Sequence, residues 1–330
     1  MNKEFKALVV EEYEPGKFSK SIRTRTIDSL PEGDVLINVK YSGLNYKDGL
    51  SARGHKGITR KYPHTPGVDA AGIVAESVSE KFSTGDEVLV TGYDLGMNTS
   101  GGFAGYIRVP AAWVVPLPAG INPRESMIYG TAGFTAGICI NELQKHDVMP
   151  DSGKVLVTGA TGAVGCLAVA MLSRAGYDVT ASTGKPDKTD FLMSIGAKEV
   201  LSREEVNDKT GRALLPGRWA GAIDTVGGNT LSTVFRSILP RGAVAVLGLV
   251  ESDKLETNIY PFILRGVMLI GIDSAERPME YRLNIWRRIS SEWKLPNPDI
   301  LAREVALDNL NEEIDLILQG RQTGKVLVRI

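Results

Sequence analysis

The stretch KVLVTGATGAVGCLAVAMLSRAGYDVTASTGK, Lys154 to Lys185, decides the fold. A β-branched run, Val155 to Thr158, enters a turn that carries Gly159, Gly162 and Gly165. An apolar segment of helical length follows and is broken by Gly176. A second strand-like run, Tyr177 to Ser182, then ends in Thr183, Gly184 and Lys185. Strand, glycine turn, helix and strand in that order make the βαβ unit that holds a dinucleotide. Glycines are needed because backbone N–H groups must approach a pyrophosphate closely, and a side chain would stand in the way. The spacing is GxxGxxG rather than GxGxxG, so an ordinary unliganded βα turn is the plainer alternative for the glycines taken alone. The strand tip adds discriminating chemistry. A site selective for NADH usually places Asp or Glu there for the ribose hydroxyls. Ser182, Thr183 and Lys185 suit a 2′-phosphate instead, so NADPH is the expected cofactor.

The rest of the chain frames that unit. At 330 residues it exceeds one typical core, which predicts two domains. Apolar residues are 43% and charged residues 23% of the chain, the balance of a soluble globular protein. A formal net charge of -1 gives no electrostatic reason to expect nucleic acid or an anionic membrane surface. The two cysteines, Cys139 and Cys166, sit among small apolar residues, as buried reduced thiols of a cytosolic protein do. The opening MNKEFKALVVEEYE interleaves charges with a short strand and lacks the apolar core of a secretory leader. No segment is long and apolar enough to span a bilayer, and a cytoplasmic location is expected.

Residues 1 to about 120 read as β-rich, with strand-like runs at Lys6–Val10, Val35–Tyr41, Ala70–Ser77, Glu87–Thr91 and Tyr106–Pro110. Turn signals at Pro31-Glu32-Gly33, Pro66-Gly67, Thr84-Gly85-Asp86 and Gly101-Gly102 separate them, which predicts an antiparallel, barrel-like domain. The pattern changes near Pro123. Arg124 to Glu142 reads as a helix of small residues. Strands alternating with helices follow, at Val155–Thr158, Val179–Ser182, Glu199–Ser202, Gly221–Thr225, Ala243–Gly248 and Val267–Asp273. The expected class is α/β: one doubly wound, parallel six-stranded sheet over 124–298, and a β-rich domain over 1–123 and 299–330. The tail, a short amphipathic helix (Leu310–Gln319) and a last strand (Lys325–Ile330), cannot form a core alone and is expected to pack back on the N-terminal domain.

Several ordered motifs carry a family resemblance: SGLNYKDGL (Ser42–Leu50), TPGVDAAG (Thr65–Gly72), GGFAGY (Gly101–Tyr106), GTAGFTAG (Gly130–Gly137) and VTGATGAVG (Val157–Gly165). With AGAIDTVGG (Ala220–Gly228) and PFILRGVMLIGIDS (Pro261–Ser274), the chain resembles the zinc-independent side of the medium-chain dehydrogenase/reductase superfamily. Within it, the chain resembles the quinone oxidoreductase-like group and its acryloyl-CoA reductase branch. The resemblance implies a Rossmann domain with a GroES-like catalytic domain. Zinc alcohol dehydrogenases of that superfamily hold metal with a cysteine and a GHE histidine. Here the matching stretches read Gly43-Leu44-Asn45-Tyr46 and Gly67-Val68-Asp69, and the histidines (His55, His64, His146) are scattered. No metal is expected, and alcohol oxidation is disfavoured.

The implied reaction is reduction of an activated double bond, with hydride passing to the β-carbon of a conjugated carbonyl and a proton to the α-carbon. Tyr46 is the first candidate for the pocket: it follows a strand beside the expected cleft and could hold the nicotinamide ribose or carboxamide, or donate a proton. The alternative is a packing tyrosine with its hydroxyl satisfied by backbone. Asn45 either orients substrate or caps the following turn, and its residue type supports both. The basic residues Arg53, His55, Lys56, Arg60 and Lys61 either form a solvated loop or meet the phosphates of a coenzyme A thioester. Asp224 is expected to cap the turn at Gly227-Gly228, and Asp48 and Asp69 are read as turn carboxylates.

The resemblance implies further cofactor contacts. Ala160, Thr161, Ala163 and Val164 join the three glycines around the pyrophosphate, Gly184 joins the strand tip, and Arg203 meets the adenine or the 2′-phosphate. Leu249 is placed at the ligand crevice, Ile263 and Ser274 near the nicotinamide, and Arg321 at the far side. The apolar run 267–272 is the last strand of an open sheet, and pairing of that edge predicts a homodimer. The leading function is an NADPH-dependent reductase of a short enoyl-CoA such as acryloyl-CoA. The alternatives are an NADPH:quinone oxidoreductase and a non-catalytic NADPH-binding redox sensor.

Overall fold

A computed structural model describes residues 3–330; Met1 and Asn2, which open the charged N-terminal stretch, lie outside the described residues. The first part of the chain runs through β1 (Glu4–Glu14), β2 (Lys17–Thr26), β3 (Val35–Leu44), α1 (Tyr46–Ala52), β4 (Asp69–Ser77), β5 (Glu87–Thr91), β6 (Tyr106–Val109), β7 (Val115–Pro116) and α2 (Pro123–Lys145). Next come β8 (Val155–Val157), α3 (Ala163–Arg174), β9 (Val179–Thr183), α4 (Thr189–Ser194), β10 (Glu199–Ser202), β11 (Trp219–Asp224), α5 (Gly228–Arg236), β12 (Ile238–Val246), α6 (Tyr260–Arg265) and β13 (Met268–Gly271). The chain ends with α7 (Met279–Ile289), β14 (Ala302–Ala306), α8 (Leu310–Leu318) and β15 (Lys325–Arg329).

These elements form two units. The first comprises residues up to Ala132 with Ser274–Ser290 and Leu301–Ile330; the second comprises Gly133–Asp273 and Ser291–Ile300.

In the first unit a sheet runs β14-β15-β3-β4-β5-β7, with β6 also paired to β3, and β1 and β2 form a separate antiparallel ribbon. Alternating inward residues of β3, β5 and β6 (Val35, Ile37, Val39, Val88, Val90, Ile107, Val109) close one buried cluster. A second joins Leu8, Leu44 and Phe103 to Leu310, Ile314, Val326 and Val328. Leu310 and Ile314 are one helical turn apart, and burying each is worth roughly 1.5–3 kcal/mol. Such packing, rather than intrinsic propensity, holds the nine residues of α8 helical. β15 pairs antiparallel with β3, setting Val328 opposite Ser42, so the C-terminal tail is part of this unit's sheet.

The second unit is a six-stranded sheet ordered β10-β9-β8-β11-β12-β13, every pair parallel. Its central strands β8, β9 and β11 are buried throughout, as strands covered on both faces by helices must be, while the edge strands β10 and β13 are only partly buried. This is the doubly wound order, and its ligand crevice lies beyond the carboxyl ends of the strands.

The structure departs from the sequence-based outline in several places. β2, β7 and β14 were not anticipated: β2 has only partly buried and exposed residues, so its strand character comes from pairing with β1 and not from an apolar pattern. The domain limits also differ. The division falls after Ala132 rather than at 123/124, because Gly130 (φ 48°, ψ -151°) breaks α2 and Thr131 bonds to Asp69 of the first unit. Ser274–Ser290 also belongs to the first unit and not to a domain reaching residue 298. Its Arg282 is fully buried and donates to Thr91 Oγ1 at 3.1 Å.

Candidate active site

In the second unit, β8 leads into Gly159, which adopts φ +59°; a Cβ there would also lie 2.2 Å from Thr225 Oγ1. A Cβ on Gly165 would fall 2.4 Å from the Gly159 carbonyl oxygen, so the third glycine lets α3 close on the turn. Helix α3 starts at Ala163 behind Gly162, and no side chain caps its N-terminus. A glycine-lined turn at a bare helix N-terminus fits a dinucleotide pyrophosphate.

The β9 tip is tied to this turn. Ala160 N–H donates to Ser182 O at 3.0 Å, and the Thr161 and Thr183 hydroxyls share a bond at 3.1 Å. Thr183 Oγ1 also accepts from Lys185 N–H, and Ser182 Oγ donates to Ser202 O. The Thr183 hydroxyl therefore braces the turn from within, the Ser182 hydroxyl ties β9 to β10, and both residues are buried. The cations stand outside them: a Cβ on Gly184 would lie 2.6 Å from Arg203 Nη2, which places that guanidinium over the tip near Lys185. Partial burial draws the Lys185 ammonium below its usual range.

At the carboxyl ends of β11 to β13 lies a cavity of about 640 Å³, lined by Gly227, Gly248, Leu249, Leu255, Ile272 and Asp273 among others. Leu249 is thus at the crevice. Ile263 is on α6, exposed beside Ile259 and Leu264, and does not line this cavity. Asp224 caps the turn before α5: it accepts from Thr158 Oγ1 and from Gly227 N–H, each at 2.7 Å. Burial raises its carboxyl despite those donors. Glu251 does similar work for α5, accepting from Thr230 N–H at 2.9 Å and from Asn207 Nδ2 at 3.0 Å.

In the first unit, Tyr46 opens α1 and is 55% exposed, so its phenol is open to a ligand. Asn45 points the other way. Its Nδ2 donates to Gly43 O (3.0 Å) and Asp69 Oδ2 (2.8 Å), and its Oδ1 accepts from Lys325 Nζ (2.8 Å). Both ends of the Asn45 amide are thus bonded inside the protein. Lys325 Nζ also lies 3.2 Å from Asp69 Oδ2, with both side chains fully buried. Thr131 N–H and Oγ1 complete the set, donating to Asp69 Oδ1 at 2.9 and 2.6 Å. Asp48 closes the start of α1, accepting from the N–H groups of Asn45, Gly67 and Val68. Burial, and then the charge of Asp69, push Asp48 up to about 7 against those donors.

Sequence reasoning took Asp69 for a turn carboxylate and missed Lys325. A lysine heading the apolar run Val326–Val328 was the available signal, since a cation at a buried strand position requires a partner. Zinc does not fit this donor set. Asp69 is enclosed by an ammonium, an amide and a threonine, and among the described residues no group of three or more His, Cys, Asp and Glu could hold a metal.

Ser274 offers its carbonyl oxygen to Arg282 Nη2 at 3.0 Å, and Arg282 stacks over Tyr93, itself parallel to Trp113 at 5.5 Å. Arg321 follows α8 and is exposed. Within the basic loop, Lys56 is withdrawn into a bond with Glu12 (2.9 Å) and lies over the Tyr62 ring. Arg53, His55, Arg60 and Lys61 remain exposed.

Residues 31–119 match the family described as alcohol dehydrogenase GroES-like domain, and 163–291 the one described as zinc-binding dehydrogenase. YhfP of Bacillus subtilis, which bears a quinone oxidoreductase name, is 46% identical over 94% of this chain and 95% of that protein. A structure of B. subtilis yhfP with NAD bound aligns at TM-score 0.97 and 45% identity over 99% of this chain and all of that one. Acrylyl-CoA reductase AcuI of Ruegeria pomeroyi is 41% identical over 99% of both chains. The yhdH oxidoreductase of Salmonella enterica in complex with NADP aligns at TM-score 0.95 and 41% identity, over 98% of this chain and 99% of that one. Glycine turn, parallel sheet order and full-length likeness together make this chain a member of the medium-chain dehydrogenase/reductase superfamily, in the group that holds the quinone oxidoreductase and acrylyl-CoA reductase relatives.

Proposed function

We propose that this protein is an NADPH-dependent reductase of an activated C=C bond, with a short enoyl-CoA such as acryloyl-CoA as substrate. The observation that carries the reading is the strand tip: Lys185 and Arg203 stand beside the glycine turn where a 2′-phosphate would sit, and no carboxylate occupies the end of β9. The 41% identity to an acrylyl-CoA reductase over 99% of both chains supports the substrate class. NADPH, when bound, supplies the hydride.

The residues of the chain do the rest. Gly159 to Gly165 present backbone N–H groups and the α3 dipole to the pyrophosphate. Lys185 and Arg203 hold the 2′-phosphate as charge-assisted donors. Tyr46, exposed at the start of α1, is the residue we assign to the nicotinamide ribose or carboxamide and to a hydrogen bond to the substrate oxygen as negative charge develops. We assign the exposed cations Arg53, Arg60 and Lys61 to the coenzyme A phosphates on their charge and exposure. A quinone is the second reading, favoured by the name of the relative at 46% identity. A cytoplasmic homodimer paired through β13, the edge of its sheet, completes the proposal.

The test is oxidation of NADPH by the purified protein with acryloyl-CoA, with a benzoquinone, and with NADH as control cofactor. Turnover with acryloyl-CoA and NADPH is expected. Turnover with quinone alone replaces the substrate class, and NADPH binding without turnover on either acceptor leaves a redox sensor.

A further inference from the structure

We infer that Lys325 and Asp69 are positioning residues for Tyr46, acting through the amide of Asn45. The inference rests on the assignment of Tyr46 to the cofactor pocket. The geometry is a closed triangle of bonds: Lys325 Nζ to Asn45 Oδ1, Asn45 Nδ2 to Asp69 Oδ2, and Lys325 Nζ to Asp69 Oδ2. Asn45 is the residue before α1, and Tyr46 is its first residue. Fixing the Asn45 amide fixes the backbone from which the phenol projects. The Asn45 N–H is held separately by Asp48, so the junction is gripped on both backbone and side chain.

Two glycines show that the triangle is built to close tolerance. A Cβ on Gly43 would lie 2.7 Å from Lys325 Cε, and one on Gly130 would lie 2.4 Å from Asp69 Oδ2. Lys325 comes from the strand β15 and Asp69 from β4, on opposite sides of β3 in the sheet. The end of β3 that feeds Asn45 is thus flanked by both charges. A buried ion pair is a poor way to gain stability alone, since an apolar pair of similar volume often serves as well. Its geometric specificity suits the aiming of a tyrosine that is 55% exposed.

The experiment compares Lys325→Met, Tyr46→Phe and the double variant, with Asn45→Ala as a second route that leaves the ion pair in place. Three quantities are read: kcat and KM with NADPH and the accepted substrate, the NADPH Kd by fluorescence, and hydrogen exchange of the amides of residues 45–49. In a wild-type background, Lys325→Met and Asn45→Ala should each lower kcat at least tenfold and raise exchange at 45–49. In the Tyr46→Phe background, Lys325→Met should change kcat and Kd less than twofold. Equal losses in both backgrounds overturn the inference, as does full activity in Asn45→Ala. Should Lys325→Met fail to fold, Asn45→Ala alone and with Tyr46→Phe decides by the same criterion. A Tyr46→Phe variant with wild-type kcat and NADPH Kd would instead defeat the assignment of Tyr46 itself.

Discussion

Lys325 and Asp69, 256 residues apart in sequence, meet at 3.2 Å with no exposure of either side chain. Each charge is intelligible only with the other. Removing one partner leaves an uncompensated buried charge, which costs about 3–5 kcal/mol. Lys325→Met and Asp69→Asn should therefore each lower thermal stability strongly, and the double variant should be less destabilised than their sum. Additive losses in a melting series would show that the two residues do not act as a pair.

The cofactor preference depends on the strand tip. Lys185→Asp should weaken NADPH binding by more than tenfold, a loss of roughly 1.4 kcal/mol or more, with NADH affinity unchanged or improved. An unaltered NADPH Kd by fluorescence titration would assign the 2′-phosphate to Arg203 alone.

Asp48 gives a pH signature. Its folded-state value of about 7 exceeds the ordinary 3.8, so the folded protein holds this proton more tightly than the unfolded chain does. Its contribution to stability is complete below about pH 4 and is lost as pH rises toward 7. The stability of the wild type minus that of Asp48→Asn should fall across this window. A difference that stays flat from pH 4 to 8 would show that Asp48 is ionised throughout.

Gly130 cannot be replaced cheaply. Its φ of +48° disfavours any side chain, and a Cβ would collide with Asp69 Oδ2 at 2.4 Å. Gly130→Ala should lower the melting temperature and disturb the Asp69 bonds, with strain alone of order 1–3 kcal/mol. A wild-type melting curve would mean that the α2 break relaxes at no penalty.

For the edge strand, sedimentation at micromolar concentration should give a species of twice 35.6 kDa. Ile270→Lys, a change within β13, should shift it to monomer while NADPH still binds. A monomer in the wild type would remove the proposed pairing.

Much of the second unit was legible because its signals are local. The glycines at 159, 162 and 165, the β-branched run before them and the alternation of strands with helices all act within a few residues. The turn cap at Asp224 was legible for the same reason. The triangle of Asn45, Asp69 and Lys325 was not, since its members come from three segments joined only by folding. Asp69 looked like one more turn carboxylate, and Asn45 like a substrate contact or a turn cap. β2 escaped because strand pairing overrides its polar composition, and the unit boundary escaped because Gly130 reads, in sequence, as one more small residue of a helix.

Glu251 has a consequence for how a dinucleotide could lie. Two helices of the second unit begin near carboxyl ends of adjacent strands, α3 after β8 and α5 after β11. At α5 the Glu251 carboxylate already supplies the counter-charge to the helix end, whereas α3 has no side-chain cap. A pyrophosphate would therefore meet bare N–H groups at the α3 end and a carboxylate at the α5 end, so the acidic cap of α5 disfavours a second anion there.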